Sequence, residues 1–276
     1  MRADKTIIAM TKISILGCGW LGFPLAKALI SEGFTVKGST TSTEKIVVLE
    51  NAGIQAFQVI LDSESVSGPI EDLLAESTIL IIDIPPKLRG DKSGDFVGKI
   101  KTILPFIEKS TIENVIFISS TSVYGDENDQ VTEETTLNPD SEGGRQLEIV
   151  ETLLQNNSFF KTTVLRFGGL IGEDRNPAHF LAGKENLDNP NAPINLIHQK
   201  DCIGIIMQII AKQAWNTTFN AATPYHPSRE TYYSQKAIDF GLIPPTFDHS
   251  KSSIGKTIVV DKIEKTLDYT FQIQSL

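Results

Sequence analysis

Lys12-Ile13-Ser14-Ile15-Leu16-Gly17-Cys18-Gly19-Trp20-Leu21-Gly22 is the stretch that decides the fold. A short apolar strand over Lys12–Leu16 runs directly into a Gly-x-Gly-x-x-Gly turn. Residues Trp20–Glu32 then read as a helix, with Leu21, Leu25, Ala28 and Leu29 on one face and Gly33 as its stop. The glycine spacing has a mechanism. Gly17 permits a tight turn, Gly19 lets a pyrophosphate approach the backbone, and Gly22 lets helix and strand pack closely, while the helix N-terminus offers N–H groups to the phosphates. Such a triplet alone is weak evidence, but the strand before it and the helix after it supply the context the motif requires. Gly17, Gly19, Trp20, Leu21 and Gly22 are therefore candidate dinucleotide-binding residues. The competing reading is a Gly-rich turn in an α/β protein that holds no ligand.

Outward from this turn, strands and helices alternate through residue 170. Strands are expected at Thr35–Thr40, Gln55–Leu61, Thr78–Ile84 (stopped by Pro85-Pro86), Asn114–Ser119 and Thr162–Phe167. Helices are expected at Thr43–Asn51, with Ser42 or Thr43 as N-cap, at Phe96–Glu108, kinked or interrupted near Pro105, and at Arg145–Asn156. Strands apolar on both faces and joined by helices describe an α/β fold, a Rossmann-type doubly wound parallel sheet. The C-terminal third has Pro- and Asn-rich loops, an apolar helix at Asp201–Lys212, and short strands near Thr217–Asn220 and Lys256–Val260. It reads as a smaller α+β lobe. The expected division is a dinucleotide-binding domain over 1–170 and a substrate-side lobe over 171–276, with about 194–212 returning to the first domain.

The end of strand two should discriminate between NAD and NADP. A carboxylate there would bind the adenine-ribose hydroxyls and repel a 2′-phosphate. This chain has Gly38-Ser39-Thr40-Thr41-Ser42, and no carboxylate appears until Glu44. Ser39, Thr40 and Thr41 can hydrogen-bond either cofactor, and since nothing repels the phosphate, NADP is favoured over NAD. Asp62 ends strand three, where this architecture contacts adenine; its alternative role is a solvated loop carboxylate. Ile84 and Pro85 end strand four and Ser119 ends strand five, completing the candidate cofactor set.

A net charge of −9, with no Lys/Arg-rich run, argues against a nucleic-acid partner. No apolar stretch approaches the roughly 20 residues of a membrane span. Thr6–Met10 is too short and too poorly flanked for a secretory signal and reads as a short N-terminal extension, with Met10 an alternative start. Cys18 and Cys202 make no disulfide framework, which fits a reduced cytoplasmic setting. His179, His198, His226 and His249 lack ligand spacing, so no metal site is expected.

Val115-Ile116-Phe117-Ile118-Ser119-Ser120-Thr121-Ser122-Val123-Tyr124-Gly125 resembles the active-site strand of the extended short-chain dehydrogenases/reductases. Leu165–Gly172 and Asn195–Asp201 resemble later segments of that family, so the resemblance covers most of residues 12–275. The family's Pro-x-Ser-x-Tyr-x-x-x-Lys-x-x-x-Glu pattern survives here only in part. Pro139, Ser141 and Glu151 match, while the Tyr position holds Gly143 and the Lys position Leu147. Together with Gly143-Gly144-Arg145 and His226–Glu230, this resembles an atypical, NAD-dependent epimerase/dehydratase-like branch that lacks the catalytic pair. In the family the Tyr moves a proton while the Lys lowers its pKa and holds the nicotinamide ribose. Gly143 and Leu147 can do neither. Arg145 should point away from the site, and Gln146 cannot act as an acid or base near neutrality.

Ser120 and Tyr124 remain the catalytic candidates. Ser120 can polarise a carbonyl or simply satisfy the strand-end backbone, and Tyr124 can donate a proton or hold the loop. Arg175, His179, His198 and Arg229 are the substrate-side candidates, each with a plain surface role as its alternative. The resemblance implies an NAD(P)-binding epimerase-, dehydratase- or reductase-like protein acting on a small polar, sugar-derived substrate with non-standard groups. The rival expectation is a catalytically silent NAD(P)-binding sensor or partner-binding protein. The chain is expected to be a monomer or homodimer.

Overall fold

The structure, a computed structural model, describes residues 11–86, 94–127, 129–274 and 276. The expected N-terminal extension at Thr6–Met10 lies outside the described residues. A seven-stranded sheet is built from β1 (Lys12–Leu16), β2 (Thr35–Thr40), β3 (Gln55–Gln58), β4 (Ile79–Ile82), β5 (Asn114–Ser120), β6 (Lys161–Phe167) and β9 (Thr218–Ala221). Its order is β9-β6-β5-β4-β1-β2-β3. β1 pairs in parallel with β2 (Ile13 opposite Val36) and with β4 (Ile15 opposite Ile81), and β4 pairs in parallel with β5. This is the expected α/β Rossmann-type fold. The strand order reverses between β1 and β4, the switch point outside which such sheets bind ligands at the C-terminal ends of their strands.

Close contacts divide the chain into two compact units. The first comprises Met1–Ser119, Ser141–Leu165 and Ile206–Thr218. Its core is aliphatic: Ile79–Ile82 are all buried, as are Leu25 and Leu29 of helix α1 (Gly22–Ser31). Polar residues inside it are satisfied. Ser14 of β1 is fully buried, with its hydroxyl 2.6 Å from the Leu73 carbonyl and 2.8 Å from Ser77 Oγ. Lys37 of β2 donates to the carbonyls of Asp72 and Ala75 at the end of α3 (Ile70–Leu74), the C-terminal helix position a cation stabilises.

Three expectations are corrected by the structure. β3 stops at Gln58, the partner of the last β2 residue, Thr40; beyond it Ile60–Leu61 pairs antiparallel with Val66–Ser67. Helix α4 (Phe96–Glu108) runs through Pro105 without a break. Phe96, Ile100, Ile103 and Ile107 form a buried face that holds it across the lost hydrogen bond. Helix α5 (Glu142–Gln155) starts three residues before Arg145, because Ser141 caps it by accepting from Gly144 N–H at 3.1 Å. Helix α2 (Glu44–Asn51) begins at its expected place but has no side-chain cap from Thr43.

The second unit comprises Ser120–Asp140, Arg166–Ile205 and Phe219–Leu276. It contains a parallel pair, β7 (Gly169–Ile171) with β8 (Leu196–His198), and a two-residue parallel pair, Gln130–Val131 with Thr257–Ile258. Ile171, Ile194, Leu196 and Tyr232 form a core cluster. Helix α6 (Gln199–Lys212) follows β8, and α7 (Arg229–Asp239) is capped by Ser228, whose hydroxyl accepts from Thr231 N–H.

Candidate functional site

In the first unit, the turn between β1 and α1 adopts the geometry its glycines allow. Gly17 has φ +109°, a left-handed conformation that a side chain disfavours, and a Cβ there would lie 2.4 Å from the Asp83 carbonyl. A Cβ on Gly22 would lie 2.2 Å from the Gly17 carbonyl, so the helix is packed against its own turn. Gly19 differs: it is exposed, and a Cβ there meets nothing within 4 Å. The outer face of the turn is therefore open to a ligand, as a pyrophosphate against the Gly19 backbone requires. Trp20 is half-buried and Leu21 buried at the helix entry.

β2 braces this turn. The Gly17 N–H donates to Ser39 Oγ at 2.9 Å and the Cys18 N–H to the Ser39 carbonyl at 2.7 Å. Thr40 Oγ1 accepts from Ser42 N–H. Of the three hydroxyl residues, Thr41 is the exposed one. Asp62 is exposed and accepts from Ser63 N–H, while half-buried Ile84 packs toward Gly17 and Pro85 is exposed.

Asp83 was not among the sequence candidates. It follows β4, with its N–H donating to the Leu16 carbonyl at 2.9 Å. Its carboxylate accepts from Gly22 N–H, so a negative side chain rests on the first turn of α1. Burial pushes this carboxyl up to about 7, with the Gly22 hydrogen bond opposing. Burial and the neighbouring Asp83 charge push the Cys18 thiol up to about 12, which leaves it an unreactive core residue. The signal in the sequence was a single acidic residue inside the run Ile79-Leu80-Ile81-Ile82-Asp83-Ile84.

Helix α5 carries the replaced pair. A Cβ on Gly143 meets nothing within 4 Å, whereas the Leu147 side chain is buried. Arg145 is exposed and pairs with Glu142. Gln146 is structural: its Oε1 accepts from Phe96 N–H at 2.7 Å and its Nε2 donates to the Gly94 carbonyl, tying α5 to the start of α4. Glu151, the last residue of the partial motif, is buried and accepts from the Ser119 hydroxyl at 2.5 Å. The surviving flank of the motif thus has a packing role of its own.

The remaining candidates lie in the second unit. Ser120 caps the turn Thr121–Val123 by accepting from Ser122 N–H. Tyr124 is buried; its hydroxyl donates to Asn220 Oδ1 at 2.9 Å and accepts from Arg166 at 2.5 Å. Burial raises its pKa, with the Arg166 charge opposing. Lys256, which sequence reasoning missed for want of any motif, donates to the Tyr124 carbonyl and to Asp126. Tyr124→Phe removes one acceptor from buried Arg166 and should lower stability by about 1–3 kcal/mol, read from the midpoint of urea unfolding. A change within a few tenths of a kcal/mol would show that the phenol is not a structural anchor.

The four substrate-side candidates are held by different partners. Arg175 is exposed in a turn bridged to Gly172. His179 is exposed and stacks on Phe240, with ring centres 4.7 Å apart. His198 Nδ1 accepts from Lys200 N–H, and burial lowers its pKa, aided by the Lys200 charge. Arg229 donates to the Asp188 carbonyl at 2.6 Å. Among the described residues, no group of acidic, histidine or cysteine side chains is placed to hold a metal, and no helix is long and apolar enough to cross a membrane.

No protein-family model matches the chain. Protein YeeZ of Escherichia coli (strain K12) is 34% identical over 265 residues, covering 95% of this chain and 96% of YeeZ. Among solved structures, a short-chain dehydrogenase/reductase superfamily protein from Agrobacterium tumefaciens with bound NAD superposes with a TM-score of 0.75 at 18% identity, covering 95% of this chain and 92% of that one. UDP-glucuronic acid 4-epimerase from Bacillus cereus in complex with NAD gives 0.74 at 18% identity, covering 95% and 94%. These two likenesses are of fold. The chain belongs to the same family as protein YeeZ, and its fold is that of the short-chain dehydrogenase/reductase superfamily protein and the UDP-glucuronic acid 4-epimerase.

Proposed function

We propose that the first unit binds a nicotinamide dinucleotide at the Gly17–Gly22 turn, and that the protein is epimerase-, dehydratase- or reductase-like, acting on a small polar, sugar-derived substrate with non-standard groups. The observation that carries this is the turn itself: left-handed Gly17, close-packed Gly22, and an open face over Gly19. Gly19, Trp20 and Leu21 would hold the pyrophosphate, and Ile84 and Pro85 would flank the ribose. Ser119 would lie at the nicotinamide end. The cofactor, when bound, supplies hydride transfer. Solved structures of the same fold contain NAD, and one of them also acts on a UDP-sugar.

NADP is the preferred form in this proposal. Ser39 and Thr40 are engaged with the backbone of Gly17 and Ser42, which leaves exposed Thr41 to meet the adenine ribose, with no carboxylate to repel a 2′-phosphate. Asp62, exposed just after the Ile60–Leu61 strand, would face the adenine. We place the protein in the cytoplasm, as a monomer or homodimer with a small-molecule substrate or effector and no nucleic-acid or membrane partner. The chain divides, in this proposal, into a cofactor domain over 1–170 and a substrate-side lobe over 171–276, with about 194–212 returning to the first domain and Arg175, His179, His198 and Arg229 as the lobe's polar contacts.

A second reading, a silent cofactor sensor, is favoured by one specific observation: Tyr124 is buried with its hydroxyl engaged on both sides, so neither it nor Gly143 offers a free proton donor. Gly19→Val is expected to abolish NADPH and NADH binding by fluorescence titration while leaving the melting temperature unchanged, because its side chain fills only the open face. Unimpaired binding would refute the pyrophosphate placement. Tight NADPH binding, with neither a change in nicotinamide absorbance nor product formation across a panel of sugar nucleotides and small carbonyl compounds, would decide for the sensor.

A further inference from the structure

The Gly17–Gly22 turn contains a feature that dinucleotide binding does not need and that acts against it. Asp83 follows β4 and the turn follows β1, so the two flank the switch point of the sheet. The Asp83 carboxylate accepts from Gly22 N–H, and Asp83 Oδ2 lies 3.1 Å from where a Gly22 Cβ would stand. A protein carboxylate thus rests on the helix N-terminus, whose partial positive charge a pyrophosphate would use. The two anions compete for one electrostatic site, and a dinucleotide adds negative charge beside a half-buried carboxylate.

We propose that dinucleotide uptake at this turn is coupled to protonation of Asp83, so that the cofactor binds the neutral-carboxyl form. This rests on the nicotinamide-dinucleotide reading above. Deprotonated Asp83 repels the pyrophosphate; protonated Asp83 carries no charge and can donate a hydrogen bond to a phosphate oxygen. The step forms one O–H bond on the Asp83 carboxylate, its proton coming from a solvent hydronium ion or buffer acid that is left as water or conjugate base. Burial already holds the carboxyl at about 7 without cofactor, so the switch lies near neutrality. Among the described residues, the other titratable group facing it is Cys18 on the turn, whose raised thiol stays neutral and does not compete for the proton. Its backbone contacts include the Gly22 N–H, the Gly17 turn and the end of β1.

The sign follows directly. Affinity is highest below about pH 7 and declines as pH rises through and above it, approaching tenfold per pH unit. The test titrates NADH and NADPH in parallel from pH 6.5 to 8.5 with wild type and Asp83→Asn, and adds calorimetry at pH 7.5 in two buffers of different ionisation enthalpy. The expected result is weakening with pH for both cofactors in wild type, a flat profile in Asp83→Asn with tighter binding at pH 8.5, and net proton uptake approaching one per cofactor. Binding without proton uptake, a slope confined to NADPH (which would belong to its 2′-phosphate), or an unchanged slope in Asp83→Asn overturns the coupling and leaves the cofactor reading standing. If neither cofactor binds at any pH, both the coupling and the cofactor reading are overturned. The wild-type calorimetry decides even if the variant does not fold.

Discussion

Gly22→Ala should remove dinucleotide binding and cost about 3 kcal/mol of stability. A methyl group at this position would sit 2.2 Å from the Gly17 carbonyl, which is backbone and cannot rotate away. Helix α1 and the turn must separate, disturbing the Gly17 N–H bond to Ser39 and the Gly22 N–H bond to Asp83 together. Urea unfolding measures the stability term and fluorescence titration with NADPH the binding term. Gly143→Ala is the matched control. Its methyl group meets open space in a helix, so it should be neutral or stabilise by roughly 0.5–1 kcal/mol, since alanine is the better helix former. Equal effects of the two substitutions would mean that the close packing at Gly22 has no energetic consequence.

Asp201→Ala is expected to lower stability by about 3–5 kcal/mol, a large share of what a domain has. Asp201 is fully buried in α6 and accepts from three donors: the Tyr269 hydroxyl at 2.8 Å, Gln272 N–H at 2.7 Å and Ile273 N–H at 3.1 Å. One side chain therefore anchors the C-terminal segment of the second unit, and alanine strands all three donors. Asp201→Asn keeps one accepting oxygen and should recover part of the loss. Hydrogen exchange at Gln272 and Ile273 should rise sharply in the alanine variant. Unchanged protection at those two amides would show that the segment is held by packing alone.

Much of the first unit was legible in the chain. The bounds of β1 and β2 and the extent of α4 follow from strictly local signals: apolar runs, glycine stops and helical periodicity. One failure traces to a longer-range partner and one to a cap within the same segment. β3 ends where β2 runs out of partners at Thr40, a fact about register that no window of sequence contains. The early start of α5 went unseen because Gly143-Gly144 disfavours a helix, while Ser141 supplies the capping acceptor that offsets it.

The candidate site divides along the same line. Its glycines were readable because each is dictated by backbone conformation or close approach within one strand–turn–helix, and so the family resemblance and the expected cofactor class follow from a few adjacent residues. Asp83 was not readable: it stands 61 positions from Gly22, and only the parallel pairing of β1 with β4 brings its carboxylate onto the helix N-terminus. Nor did spacing show that Gln146 and Glu151 have structural work, or that Tyr124 is enclosed by Arg166 and Asn220. Local order along the chain specified the α/β alternation, the glycine turn and the family resemblance in which Gly143 and Leu147 stand at the expected Tyr and Lys positions. Which polar side chains are spent on holding the fold, and which charge faces the turn, was settled by tertiary packing, because burial and hydrogen-bond partners are set by residues distant in sequence.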